Sequence, residues 1–216
     1  MTTANAFAAR PAGDRALLLE LPDNAAVHAA ARLARERYAS QLAEVVPGHS
    51  TLLLAWRERA TVPDVSALAP LFTAPETKRG GDAQAQAVVV GVRYDGVDLA
   101  AVATALGASS QEVVELHAAG TYVVAFMGFA PGFPYLITEP HDDRVARLLG
   151  LPRLATPRTT VPAGSVAVAA GYCGIYPRSS PGGWNLLGQS DLVLFDPARE
   201  PPSLLEPGVR VRFEPV

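Results

Sequence analysis

Phe126–Leu136 reads FMGFAPGFPYL, and PRLATPR at Pro152–Arg158, VPAGSV at Val161–Val166 and SPGGWNLLG at Ser180–Gly188 follow it. Glycine admits positive φ and close backbone approach, whereas proline fixes φ and withholds a donor. Repeated beside Phe129, Phe133, Tyr135, Tyr176 and Trp184, the two describe rigid loops that present flat apolar surfaces. Arg153 and Arg158 add planar forks suited to a carboxylate or phosphate. Together these residue types describe a pocket, or an obligate contact surface, for a small anionic ligand. Short strands between such Gly/Pro turns predict a barrel or sandwich.

Outward from this stretch, the strand Tyr122–Met127 leads into the GFAPGF loop. Ser165–Ala169, Leu192–Phe195 and Val209–Phe213 read as further strands, the last alternating Val209, Val211 and Phe213 with Arg210 and Arg212. Upstream, Ala87–Val92 predicts a strand, and Leu99–Leu106 and Gln111–His117 predict two helices. The second helix starts on a Ser109-x-x-Glu112 capping box. A helical stretch at Asp142–Leu149 lies in a link we read as an added helix over the pocket. The N-terminal part reads differently. A strand at Ala16–Leu21 precedes a helix with Val27, Ala30, Ala31, Ala34 and Tyr38 on one stripe. A second strand at Thr51–Trp56 and a short helix at Val65–Phe72, with Asp64 as N-cap, complete it. Thr73–Gln86 loses apolar periodicity and marks the boundary. The pattern is α+β: a small α/β domain at residues 1–80, then a mostly β domain at residues 81–216.

At 216 residues, 49% of them hydrophobic, the chain can bury a sizeable core. A net charge of −3 argues against general affinity for nucleic acid or anionic membranes. Cys173 is the only cysteine, so no internal disulfide can form. With no apolar leader and no run of about 20 apolar residues, a soluble cytoplasmic protein is expected.

Candidate site residues follow from this. Arg153 and Arg158 both come after proline, which lowers the entropic cost of aiming a long side chain. Such a pair suits one carboxylate, an acid on a partner chain, or a structural ion pair. Pro181-Gly182-Gly183-Trp184 suits a partner interface, with tryptophan as anchor. His117 either ends its helix as a polar terminus or stands near the pocket as a proton carrier. Ser165 lacks a nucleophile elbow and reads as a strand entry, and Cys173 reads as a buried, inert thiol. The paired helices carry Glu112 and Glu115 where a DNA-reading helix would be basic. His28, His49 and His141 have no partners at metal-ligand spacing, and no P-loop occurs.

GFAPGFPYL, the two Pro-Arg pairs, VPAGSV, GIYP and SPGGW in this order resemble the allophanate hydrolase subunit 1 family, which includes KipI and the B subunits of 5-oxoprolinases. Gly13–Leu17 resembles the family's opening and Pro207–Phe213 its close. The resemblance implies a cyclophilin-like β-barrel after a small α/β domain. It also implies the B component of an ATP-dependent 5-oxoprolinase, working with a homologous C component (allophanate hydrolase subunit 2 type) and a LamB-like A component. ATP would be used by the assembled complex, and no cofactor-binding motif stands in this chain. Phe129, Phe133, Tyr135, Arg153, Arg158 and Tyr176 would bind substrate, and His117 would be the catalytic proton carrier. A KipI-like inhibitor of a sensor histidine kinase and a urea- or allophanate-processing component of carboxyltransferase type are the family's other roles. One departure stands out: Tyr172-Cys173 replaces the family's polar Gln-Thr before GIYP.

Overall fold

The computed structural model describes residues 8–59, 62–71 and 87–216. The chain forms two compact units, residues 1–85 and 86–216. The stretch that reads as a boundary, Thr73–Gln86, lies outside the described residues, as does Phe72 at the end of the predicted short helix.

In the first unit β1 (Ala8–Pro11), β2 (Ala16–Glu20), β3 (Leu42–Pro47) and β4 (Thr51–Trp56) form an antiparallel sheet in the order β1-β2-β4-β3. Strict alternation in β2 and β4 sends Leu17, Leu19, Leu52, Leu54 and Trp56 to the buried face. Helix α1 (Asn24–Tyr38) covers that face with Val27, Ala30, Ala31, Ala34 and Tyr38. Asp23 starts it by accepting the Ala26 N–H at 2.7 Å. Val65–Leu71 forms a short 3-10 helix.

The second unit opens with β5 (Val88–Val92), the helices α2 (Leu99–Leu106) and α3 (Ser110–Ala119), then β6 (Thr121–Met127) and β7 (Pro134–Thr138). Helix α4 (Asp143–Leu149) follows, then β8 (Arg158–Val161), β9 (Ser165–Ala169), β10 (Tyr172–Ile175), β11 (Ser180–Gly182), β12 (Asn185–Gln189) and β13 (Arg210–Pro215). Seven strands pair in the order β12-β9-β10-β7-β6-β13-β5, and β8 pairs with β11 in a separate ribbon. The two end strands meet where Arg93 and Gln189 exchange both backbone hydrogen bonds, at 2.9 and 2.8 Å. That exchange nearly closes the sheet into a barrel, and closure removes the exposed edges an open sheet would leave. The interior is filled by Val90, Val124, Leu136, Val166, Val168, Ile175, Leu187 and Phe213.

The Ser109–Glu112 capping box forms in full, and the left-handed Gly107 ends α2. Two sequence expectations need correction. Leu192–Phe195 is not a strand: only Phe195 bridges, to Ser203. Leu194 is buried there without a ladder, because its carbonyl accepts the Leu204 N–H at 2.8 Å and an Arg199 N–H at 3.0 Å. Helix α4 exists but does not roof the aromatic loops. Val145, Leu148 and Leu149 instead commit it to the barrel core.

Candidate functional site

The GFAPGF loop joins β6 to β7 by a tight turn. Gly132 holds φ +78°, and a Cβ there would stand 2.6 Å from the Phe195 Cβ, so only glycine fits. Phe129 takes φ +62°, a left-handed conformation that costs a non-glycine residue about 1–2 kcal/mol. The turn is held by the Phe133 N–H donating to the Ala130 carbonyl at 3.0 Å and the Gly128 N–H donating to the Phe133 carbonyl at 3.2 Å. The geometry pushes Phe133 inward, 2% exposed, and leaves Phe129 60% exposed at the rim.

Phe133 is the hub of an aromatic wall. Its ring centroid lies 5.3 Å from Phe129, 5.2 Å from Tyr135, 5.1 Å from Tyr176 and 5.5 Å from Trp184. Most of these pairs meet edge to face, the arrangement the ring quadrupole favours. Gly174 lies under the wall, where a Cβ would press within 2.8 Å of Phe133 and 2.9 Å of Trp184. The rings border a cleft of about 300 Å³, completed by Arg153, Leu154, Pro157 and Pro181-Gly182-Gly183. Nine of the residues singled out in the sequence therefore share one cavity. The predicted substrate-binding set, Arg158 apart, and the partner-interface set line the same cleft.

The two arginines part company. Arg158 Nη2 donates to Asp98 Oδ1 at 2.6 Å, and Asp98 Oδ2 accepts the Leu186 N–H at 2.8 Å. Arg158 thus ties β8 to the start of α2 and to β12, and it is not among the residues lining the cleft. Its expected place in a two-arginine clamp is corrected on that ground: a guanidinium already neutralised by a carboxylate has little left for a ligand. Asp98 stands at the N-cap of α2, yet its side chain makes no capping bond to that helix.

Arg153 has the opposite character. It is exposed on the cleft wall, and it forms no ion pair or side-chain hydrogen bond among the described residues. The backbone on both sides of it is pinned. The Pro152 carbonyl accepts from Asn185 Nδ2 at 3.0 Å, and the Leu154 N–H donates to the Gly183 carbonyl at 2.7 Å. Asn185 also donates to the Val168 carbonyl at 3.1 Å, anchoring the clamp to the barrel. The result is a cation aimed from a fixed backbone into an aromatic cleft. Sequence reasoning missed Asn185 and Asp98, whose signals were weak: a polar residue just after Gly-Gly-Trp, and an acid at a helix start.

His117 is fully buried in the barrel, away from the cleft. Its Nδ1 lies 2.7 Å from the Tyr94 hydroxyl and its Nε2 lies 3.3 Å from Cys173 Sγ, with the Phe213 ring tilted against it at 4.4 Å. Burial lowers its pKa from 6.5 to about 3, so the ring is neutral near pH 7. The structure therefore places it neither at an exposed helix end nor among the cleft residues. The neighbouring Cys173 thiol is buried too, and burial raises its pKa. Ser165 is likewise buried at the start of β9. In the cleft, burial raises the pKa of the Tyr135 and Tyr176 phenols, which therefore stay protonated. A second cavity, about 470 Å³, lies between α3 and α4 and holds Glu112, Glu115, Arg144 and Arg147 but no aromatic residue. Glu112 there is committed to the capping box. Among the described residues no cluster of histidine, cysteine or carboxylate side chains could hold a metal ion. No helix among them is long and apolar enough to cross a membrane.

Residues 7–205 match the family model described as carboxyltransferase domain, subdomain C and D. The chain is 38% identical over 210 residues to the 5-oxoprolinase B subunit of Escherichia coli O157:H7, covering 94% of this chain and 93% of that one. The chain belongs to the family of 5-oxoprolinase B subunits. In this member of the family, FAPGFPY and SPGGW form the walls of one cleft. The fold is also that of the crystal structure of TTHA0988, with a TM-score of 0.76 and 38% identity; the match covers 94% of this chain and 40% of that protein. Kluyveromyces lactis urea carboxylase, 18% identical, shares the fold, with a TM-score of 0.64 over 97% of this chain and 22% of its own.

Proposed function

We propose that this chain supplies the acid-binding half of a 5-oxoprolinase site, completed by a homologous C-type partner and served by a LamB-like A-type partner in the cytoplasm. The observation that carries this reading is Arg153: a pinned, unpaired guanidinium on the wall of a small aromatic cleft. 5-Oxoproline is a flat five-membered lactam bearing one carboxylate. Arg153 holds the carboxylate through charge-assisted hydrogen bonds, and Phe129, Phe133 and Tyr135 wall the ring.

The lactam is resonance-stabilised, so opening it to glutamate needs activation, in this reading by transfer of a phosphoryl group from ATP to the lactam oxygen. Water then adds to the carbon and the C–N bond breaks to leave an acyl phosphate, which a second water hydrolyses to glutamate and phosphate. The cleft does not suit the nucleotide. Three phosphates carry several negative charges, and the cleft offers one unpaired cation. ATP therefore sits elsewhere in the assembly.

The test is reconstitution of the purified chain with its A-type and C-type partners, measuring ATP-dependent glutamate release from 5-oxoproline. Release that requires every component supports the reading. Release undiminished when this chain is left out contradicts it.

A further inference from the structure

The cleft contains a second polar group besides Arg153. Tyr176 is 2% exposed, yet it lines the cavity, and its hydroxyl makes no hydrogen bond to a side chain among the described residues. Gly182 leaves room for its hydroxyl, since any Cβ there would fall 2.3 Å from the Tyr176 Oη. Phe129 and Phe133 hold the ring at centroid distances of 6.2 and 5.1 Å, both edge to face. Among the described residues no acceptor takes the hydroxyl proton. A phenol held by its ring neighbours in this way presents its hydroxyl proton to whatever enters the cleft. A ligand that covers this donor without accepting its proton forfeits about 1–3 kcal/mol, so the hydroxyl selects a ligand that satisfies it. Arg153 and Tyr176 line the same cleft.

We propose that Tyr176 is the specificity-determining residue of this cleft, donating a hydrogen bond to the amide carbonyl oxygen of a small cyclic amide whose carboxylate Arg153 holds. This rests on the acid-binding reading above and adds a second recognition point. A carbocyclic acid of the same size satisfies Arg153 and the aromatic wall but leaves the tyrosine unpaired. A site built to bond a polar group rejects analogues that lack it far more strongly than a greasy pocket rejects a missing methylene.

The experiment measures binding to the assembled complex of 5-oxoproline and of cyclopentanecarboxylate, which keeps ring and carboxylate but lacks the amide. The wild-type complex is expected to prefer 5-oxoproline about tenfold or more. Tyr176→Phe keeps the ring and its packing, and it is expected to erase most of that preference while leaving cyclopentanecarboxylate binding unchanged. General damage would weaken both acids alike and so cannot imitate this result. A wild-type complex that binds the two acids equally, or a Tyr176→Phe complex that keeps the preference or weakens both acids together, overturns the proposal. Failure of the underlying reading has a different signature: Arg153→Ala would bind both acids as the wild type does.

Discussion

Replacing Arg158 by alanine asks whether that guanidinium holds the fold or a ligand. In the native structure its Nη2 stands 2.6 Å from Asp98 Oδ1, with side chains 27% and 12% exposed. Removing the arginine leaves Asp98 mostly buried, with the Leu186 N–H as the one remaining donor among the contacts described above. Breaking a fully buried pair by removing one partner costs about 3–5 kcal/mol, whereas exposed pairs are worth about 0–1 kcal/mol. This pair lies between those limits, so the expected loss is about 2 kcal/mol. For a folded unit the size of residues 86–216 that lowers Tm by roughly 6–10 °C. Asp98→Ala is expected to lose about 1 kcal/mol more than Asp98→Asn, because only asparagine keeps an acceptor for the Leu186 N–H. The assay is urea unfolding followed by circular dichroism, beside a titration of 5-oxoproline into the assembled complex. An Arg158→Ala chain within about 0.5 kcal/mol of wild type, in a complex with weakened binding, would refute the structural assignment and restore the two-arginine clamp.

Two further outcomes are expected. Gly182→Ala places a methyl group against the Tyr176 hydroxyl, costing about 1–3 kcal/mol of stability in urea unfolding and displacing the phenol from the cleft. Unchanged stability with unchanged binding would show that the strand can move aside. His117 gives a pH dependence whose sign follows from burial. Its folded pKa of about 3 lies below the ordinary 6.5, so the unfolded chain takes up a proton that the folded chain refuses. Stability from this group is complete above pH 6.5 and falls by up to about 1.4 kcal/mol per pH unit as pH drops from there toward 3. His117→Phe, whatever its stability at pH 7, should flatten that slope between pH 6 and 4. An unchanged slope would mean that the ring is protonated in the folded state.

Elements whose apolar period matched one exposed and one buried face were legible in the sequence. Ala16–Glu20, Thr51–Trp56 and the stripe on α1 came out close to their observed limits for this reason. Strands that begin in turn chemistry were harder. Pro134–Thr138 and Asn185–Gln189 sit directly behind glycine- and proline-rich loops, so loop signals masked them. Leu192–Phe195 misled in the opposite direction. Its apolar burial was real, but its carbonyl bonds go to an arginine and to isolated amides rather than to a ladder. At the site, the clustering of aromatic residues, glycines and arginine into one cleft was visible, because such compositions have few other uses. The division of labour between Arg153 and Arg158 was not. Both follow proline, and what separates them is Asp98, some sixty residues away, reached only when β12 closes against the start of α2. His117 likewise looked polar and terminal until Tyr94 and Cys173 converged on it from distant parts of the chain.

The most direct test of the central claim is turnover of 5-oxoproline by the reconstituted complex carrying Arg153→Ala. Arg153 is exposed, and among the described residues its side chain forms no hydrogen bond or ion pair, so the chain should fold with its stability within about 0.5 kcal/mol of wild type. The account predicts normal assembly and a fall of about tenfold or more in kcat/KM, the share expected of a charge-assisted hydrogen bond to a carboxylate. Assembly with undiminished kcat/KM would contradict it, and the cleft would then not be where this family holds its acid.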